Sequence, residues 1–390
     1  MKKRLIKNSI IALVLIFINM CMLGINLSTH TIYASSSKNY APYKGMCVME
    51  KTTKKVLYNY DEHRQLANAS TTKIVTAITA IQNCDDLQEE IVVDDLAIGV
   101  EGTSIYLKKG EKIKVIDLLY GLMLRSGNDS AAALACHVGG TYENFIDMMN
   151  KTAEIAGAKN SHFANPHGLD NPEHYTTAYD LALITCYALN NPIFKEIVST
   201  KQYKIEATNV GETRYLNNKN KLLSSLDGCT GVKTGFTSKA GRCLVSSCER
   251  NGMEVVCVVL NCGPMFEESK QFLNNAFVDY TYACVVDKDK PIYNEYYLND
   301  TKGQLNLVAD ESFYIPLNNY ETEDVTIQYT LNEFSGDIDE GEEVGEINVF
   351  VDKHLQKTIK LYTINKIDVL NNFDALKSIQ LQWEEKYEIK

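Results

Sequence analysis

The sequence predicts an α+β architecture in which one antiparallel sheet flanked by helices is followed by a small β-rich domain. Three observations predict it. Strand-period text stands at both ends of residues 41–262, helix-period apolar spacing fills the middle, and a strand-like, turn-rich stretch runs on beyond Lys288. A length of 390 residues exceeds the usual size of one domain, so a large domain plus a smaller one is expected.

The first segment in the chain reads as a leader. Lys2, Lys3, Arg4 and Lys7 precede an apolar run from Ile10 to about Leu27, and small residues follow at Ala34, Ser35, Ser36 and Ser37. A basic start, an apolar core and a small-residue exit mark a secretory signal peptide, placed at residues 1–34 with cleavage after Ala34. An uncleaved signal anchor is the competing reading, because the apolar run is long for a leader. Both put the rest of the chain outside the cytoplasm, secreted or peripheral on the outer face of the cytoplasmic membrane. Cys21 lacks the Leu-x-Gly-Cys setting of a lipoprotein.

Met46-Cys47-Val48-Met49 and Lys55-Val56-Leu57-Tyr58 alternate and read as a hairpin. Residues 70–82, 113–138, 141–157 and 177–190 carry apolar residues at helical spacing. Strand character returns over 243–262, where Asn251-Gly252 is a two-residue turn signal. That turn sets a register with Cys248 opposite Val255 and Cys257 opposite Ser246. Leu305 to Val308, Val325 to Tyr329 and Ile347 to Val351 predict strands of the β-rich domain, which carries no catalytic constellation. Leu370, Phe373, Leu376, Ile379, Trp383 and Tyr387 recur at helical spacing, which predicts an amphipathic helix over 367–390. Docking onto its own protein is the default role of such a helix. Peripheral contact with a membrane is the sharper role, weakened by the lack of a basic face.

Composition narrows the function classes. The net charge is −11, and residues 286–390 hold 22 acidic against 10 basic groups. Nucleic acid and anionic lipid both require basic patches, so neither is an expected partner. Eleven cysteines are many for an exported chain, yet there is no CxxC pair, and the spacing of Cys243, Cys248, Cys257 and Cys262 does not suit a zinc site. Most of them are therefore expected to act as small buried hydrophobes. His162 and His174 lie in no H-E-x-x-H pattern, so neither a metal nor a cofactor is expected.

Three short motifs follow one another: Ser70-Thr71-Thr72-Lys73, Ser126-Gly127-Asn128 and Lys233-Thr234-Gly235. Each alone is weak; Ser35 to Lys38 also spells S-x-x-K and Ser37 to Asn39 also spells S-x-N. Their order, wide separation and local setting carry the information. Ser70 opens a helical segment with Lys73 one turn on, so the lysine amine folds back to the serine hydroxyl. Serine needs an adjacent base, and an amine serves only if burial or a second cation lowers its pKa. Lys233 is the natural second cation. The Ser126-Gly127-Asn128 break between two apolar helices presents side chains to a cleft wall. Lys233 and Thr234 on an edge strand can hold a carboxylate, while Gly235 permits close backbone approach of a substrate; a surface turn is the plainer reading of the motif alone.

Longer segments around these motifs resemble the serine-type D-alanyl-D-alanine carboxypeptidases among the low-molecular-mass penicillin-binding proteins: Leu66 to Lys73, Met123 to Ser130, Phe163 to Leu169 and Gly231 to Thr237. The likeness covers about residues 40–285, and more loosely the β-rich domain. It implies a penicillin-binding/β-lactamase-like catalytic domain over 35–285, with the β-rich domain over 286–366. It also implies an acyl-enzyme mechanism on peptidoglycan stem peptides ending in D-Ala-D-Ala, with β-lactam antibiotics acylating the same serine. In that pattern Ser70 is the nucleophile, Lys73 its base, Ser126 the proton relay and Asn128 the group that orients Lys73 and the substrate amide. Lys233 and Thr234 bind the terminal carboxylate, and the N–H groups of Ser70 and Phe236 form the oxyanion hole. His167, in the Asn165-Pro166-His167-Gly168 loop, is expected to be structural. A class A-like β-lactamase is the nearest rival, but its Glu-x-x-x-Asn loop is missing between Asn128 and Lys233. A D,D-endopeptidase or a transpeptidase would use the same reaction type. A non-catalytic wall-binding module is disfavoured by the intact Ser70, Lys73, Ser126 and Lys233.

Overall fold

The structure is a computed structural model that describes residues 41–298, 301–332, 338–366 and 382–386. The leader therefore lies outside the described residues.

A five-stranded antiparallel sheet forms the frame, in the order β2-β1-β9-β8-β7. Its strands are β1 (Gly45–Glu50), β2 (Val56–Tyr60), β7 (Cys229–Thr237), β8 (Gly241–Arg250) and β9 (Met253–Leu260). β9 is buried at every position, and its side chains divide by parity. Val256, Val258 and Leu260 join one apolar core; Val255, Cys257 and Val259 join another. A strand covered on both faces reads as an unbroken apolar run. The Asn251-Gly252 turn gives the register the sequence predicts, Ser246 opposite Cys257 and Cys248 opposite Val255. Both turn residues have positive φ, 51° and 82°, as a tight turn of this hand requires.

Six helices form the first core: α1 (Lys73–Asn83), α2 (Val115–Tyr120), α3 (Asn128–Gly139), α4 (Tyr142–Ile155), α5 (Ala178–Ala188) and α6 (Pro192–Ser199). A short helix α7 (Leu222–Ser225) and a long one, α8 (Met265–Asp279), serve the other face of the sheet. The helical segments expected from the sequence do not include α6 or α8, although Phe194, Ile197 and Val198 of α6 stand at helical spacing. α6 also carries local signals: Asn191 caps the N–H groups of Ile193 and Phe194, and Pro192 occupies the first turn. In α8 the buried stripe is only Met265, Ser269, Leu273 and Ala276, and the serine interrupts it.

Two small ladders complete this part, β3 (Glu90–Val92) with β4 (Lys112–Lys114) and β5 (Gln202–Ile205) with β6 (Arg214–Asn217). The loop before β4 is tied to β6 through the buried carboxylate of Glu111. It accepts from both terminal nitrogens of Arg214, at 2.7 and 2.8 Å, and from Thr208 and the Lys108 N–H.

The C-terminal part has a core of its own. β10 (Tyr280–Val286) pairs with β13 (Phe313–Asn318). A six-stranded sheet runs β11 (Ile292–Leu298), β12 (Thr301–Ala309), β16 (His354–Thr363), β15 (Glu343–Val351), β14 (Val325–Leu331) and β17 (Gln382–Lys386). Ala283, Val285 and Val286 pack in this separate core with Ile315, Leu317 and Ile347. Lys55 ties the hairpin to it, donating to the Pro316 carbonyl at 2.9 Å and pairing with Glu323. The tail corrects an expectation: Gln382–Lys386 is a strand paired antiparallel with β14, not helix. The open edge of β14 offers unpaired backbone N–H and C=O groups that a strand satisfies and a helix would not. Residues 367–381 and 387–390, the rest of the expected helix, lie outside the described residues.

Candidate active site

Ser70 sits in a 3₁₀ turn (Ala69–Thr72) that leads directly into α1. Ala69 has φ +49°, a left-handed conformation uncommon for alanine, and neighbouring side chains hold it there. The Thr71 hydroxyl donates to the Asn68 carbonyl at 2.6 Å, the Thr72 hydroxyl donates to the Ala69 carbonyl at 2.9 Å, and the Asn68 amide donates to the Thr72 hydroxyl at 2.9 Å. Behind Thr72 stands His174. Its Nδ1 accepts from the Ala164 N–H, so the proton is on Nε2, which donates to the Thr72 hydroxyl at 2.7 Å. Burial lowers the His174 pKa to about 4, which keeps that tautomer neutral.

Lys73 is completely buried. Its Nζ lies 3.0 Å from the Ser70 Oγ, 2.7 Å from the Asn128 Oδ1 and 2.6 Å from the His167 carbonyl. Desolvation, then the nearby Lys233 and Lys219 cations, hold its pKa well below the ordinary lysine value. The neutral amine has two N–H donors and one lone pair. Asn128 Oδ1 and the His167 carbonyl only accept, so they take the two donors. The lone pair is left for the Ser70 hydroxyl proton, which is the geometry a general base needs.

Asn128 is held in the orientation this requires. Its Nδ2 donates to the Glu101 carbonyl at 2.6 Å, which turns Oδ1 toward Lys73. The next residue, Asp129, pins the overlying loop, accepting from the Ser104 hydroxyl and from the Ile105 and Leu107 N–H groups. Ser126 is the left-handed residue (φ 65°) between the end of the α2 segment and Gly127, which precedes α3. It is nearly buried and lines the same cleft as Ser70.

The opposite wall is β7, which the strand order places at the sheet edge. Lys233 is buried and donates to the Thr234 carbonyl at 2.9 Å; desolvation and Lys219 lower its pKa to about 7. Thr234, Gly235 and Phe236 line a cleft of about 490 Å³ with Ser70, Thr103, Ser126, Lys219 and Arg242. That volume accommodates a short peptide terminus. Gly235 has a further duty. A Cβ there would stand 3.1 Å from the Ser70 N and 3.0 Å from the Asn68 carbonyl, so the missing side chain lets β7 press against the Ser70 turn. Gly168 does the same from the other side, where a Cβ would fall 1.9 Å from the Ala69 carbonyl.

All eight sequence-predicted site residues thus lie on or beside one cleft: Ser70, Lys73, Ser126, Asn128, Lys233, Thr234, Gly235 and Phe236. His167 contacts Lys73 through its carbonyl; its ring is half-buried, meets the Tyr142 hydroxyl at 3.1 Å and is held neutral by desolvation with a pKa lowered to about 3. Sequence reasoning missed Lys219, Arg242, His174 and Asp129. For the first two no motif signal exists, since cleft cations scattered along the chain carry no spacing. Asp129 was legible as the acidic residue in the first turn of α3.

Comparison with known proteins places the fold in a family. The D-alanyl-D-alanine carboxypeptidase family matches residues 34–263, and the penicillin-binding protein 5 C-terminal domain matches 280–369. Relatives include the D-alanyl-D-alanine carboxypeptidase DacF of Bacillus subtilis, 30% identical over 71% of this chain and 70% of that protein. DacD of Escherichia coli is 30% identical over 78% and 81%. Penicillin-binding protein 5 from Haemophilus influenzae has a similar structure, with a TM-score of 0.67 at 26% identity, covering 84% of this chain and 98% of that one. A serine held 3.0 Å from a buried lysine amine, on a fold shared with these proteins, makes the chain a member of the D-alanyl-D-alanine carboxypeptidase family of serine peptidases.

Proposed function

We propose that Ser70 is the nucleophile with which this carboxypeptidase removes the terminal D-alanine from peptidoglycan stem peptides. The observation that carries the assignment is the lone pair of Lys73, left facing Ser70 after two carbonyl-type acceptors have taken its N–H groups. The Ser70 oxygen attacks the carbonyl carbon between the two terminal D-alanines while its proton passes to Lys73. Backbone N–H groups of Ser70 and Phe236, on facing elements, receive the oxyanion, a contribution on the order of 3 kcal/mol per donor. The C–N bond then breaks, Ser126 relays a proton to the departing amine, and free D-alanine leaves. Water attacks the remaining ester, which releases the shortened peptide and restores the Ser70 hydroxyl. Asn128 orients Lys73 and the substrate amide, and Lys233 and Thr234, with Gly235 beside them, hold the terminal carboxylate. A β-lactam presents a strained amide and a carboxylate to the same groups and acylates Ser70.

We further propose that residues 1–34 export the chain, so that it works on the outer side of the cytoplasmic membrane, and that the catalytic domain gives way to the β-rich domain near Tyr280. The pairing of β10 with β13, and the packing of its residues in the C-terminal core, support that boundary rather than one at 285. The direct test is mass spectrometry after exposure to benzylpenicillin, alongside D-alanine release from a Lys-D-Ala-D-Ala peptide. A stable adduct on Ser70 together with released D-alanine is expected. Rapid loss of the adduct with no D-alanine would mark a β-lactamase, and no adduct would remove Ser70 from the role.

A further inference from the structure

Three ligating side chains, Cys84 and Glu89 five residues apart and His137 another 48 on, meet at the far ends of the helices that start at the cleft. Cys84 caps the C-terminus of α1, His137 lies in the last turn of α3, and Glu89 stands just before β3. His137 Nε2 is 2.8 Å from Glu89 Oε1, the Cys84 Sγ is 3.5 Å from the same oxygen, and the three ligand atoms lie within 4.8 Å of one another. We propose that Cys84, Glu89 and His137 form a zinc-type metal site that clasps the far ends of the helices whose near ends carry the active site.

The distances suit the ion. Tetrahedral zinc, with bonds of about 2.3 Å to sulfur and about 2.0 Å to nitrogen and oxygen, sets sulfur and oxygen ligands about 3.5 Å apart and nitrogen and oxygen about 3.3 Å apart. The first pair already has that separation, and the second must open by about half an ångström, which exposed side chains allow. His137 and Glu89 are 31% and 41% exposed, so an ion reaches the site and water completes the fourth position. Thiolate, imidazole and carboxylate together favour zinc over magnesium or calcium. Binding replaces the thiol proton, which leaves to solvent; the ion's two positive charges then balance one thiolate and one carboxylate. No electron is transferred.

The consequence is mechanical. Cys84 follows the helix that begins with Lys73, and His137 belongs to the helix that begins with Asn128. The Glu89 carbonyl accepts from the Val115 N–H at the start of α2, whose segment runs on to Ser126. One ion therefore joins the three elements that hold Ser70, Ser126 and Asn128, about 16 Å along α1 from the lysine. No spacing motif marks the site, because each ligand is on a different element.

The test uses purified, metal-stripped protein titrated with Zn²⁺ and, as a spectroscopic probe, Co²⁺. One zinc retained per chain, a thiolate-to-cobalt charge-transfer absorption, and a Tm raised by about 5 °C at zinc a hundredfold above its Kd are expected. Cys84→Ser and His137→Asn should each abolish all three while still being acylated by benzylpenicillin, which shows that they fold. Glu89→Gln, at an exposed position, serves if either variant fails to fold. Absence of retained zinc and of the cobalt band in the parent protein, or their persistence in folded Cys84→Ser, would overturn the site.

Discussion

Replacing Asn128 by Asp tests the lysine base directly, because it changes the charge and almost nothing in the shape. The Asn128 Oδ1 is 2.7 Å from the Lys73 Nζ; a full negative charge there favours the ammonium form by about 6 kcal/mol at an effective dielectric of about 20. The new carboxylate itself is desolvated, and its second oxygen faces the Glu101 carbonyl that Nδ2 contacts now, so several kcal/mol are returned. About 3 kcal/mol remains, which shifts Lys73 toward its protonated form and slows acylation about a hundredfold. The assay is the acylation rate constant at saturating benzylpenicillin across pH. In Asn128→Asp the rate should climb as pH rises, because deprotonation of Lys73 restores the base. Asn128→Ala should be slower at every pH without that climb. An Asn128→Asp enzyme with the parent's rate and pH profile would refute Lys73 as the base and Asn128 as its orienting partner.

Lys73→Ala should abolish acylation and leave the fold intact by circular dichroism and Tm, since it removes a buried amine that burial already disfavours as a cation. For Lys233 the sign is fixed by its lowered pKa of about 7: it is charged below that pH and neutral above, so KM for the D-Ala-D-Ala peptide should rise as pH passes upward through about 7. Lys219→Met removes a cation that pushes Lys233 down, so that rise in KM should move to higher pH; an unmoved profile would take Lys219 out of the site's electrostatics. Gly168→Ala combines φ +86° with a Cβ 1.9 Å from the Ala69 carbonyl, so it should cost about 3 kcal/mol or more, lower Tm by about 6 °C or more and displace the Ser70 turn, read as lost acylation.

The sequence by itself determined the elements whose signal is local or periodic. The Asn251-Gly252 turn fixed the β8–β9 register down to Ser246 facing Cys257, because a two-residue turn leaves one pairing open. The Ser70 and Lys73 spacing determined that hydroxyl and amine share a helix end, because one helical turn separates them. Chain order and setting sufficed to nominate the SGN break and the KTG edge strand. Only the tertiary structure decided what depends on contacts between distant segments. It spent the donors of Lys73 on Asn128 and the His167 carbonyl, so that the lone pair faces Ser70. It set Gly235 and Gly168 against the Ser70 turn rather than leaving Gly235 for a substrate alone. It brought Lys219 to the cleft, Cys84 to His137, and Gln382–Lys386 to the edge of β14, where open backbone groups outweighed a helical apolar period. Periodicity records which face of one element is buried; pKa, hydrogen-bond saturation and edge pairing are set by what the rest of the fold places opposite it.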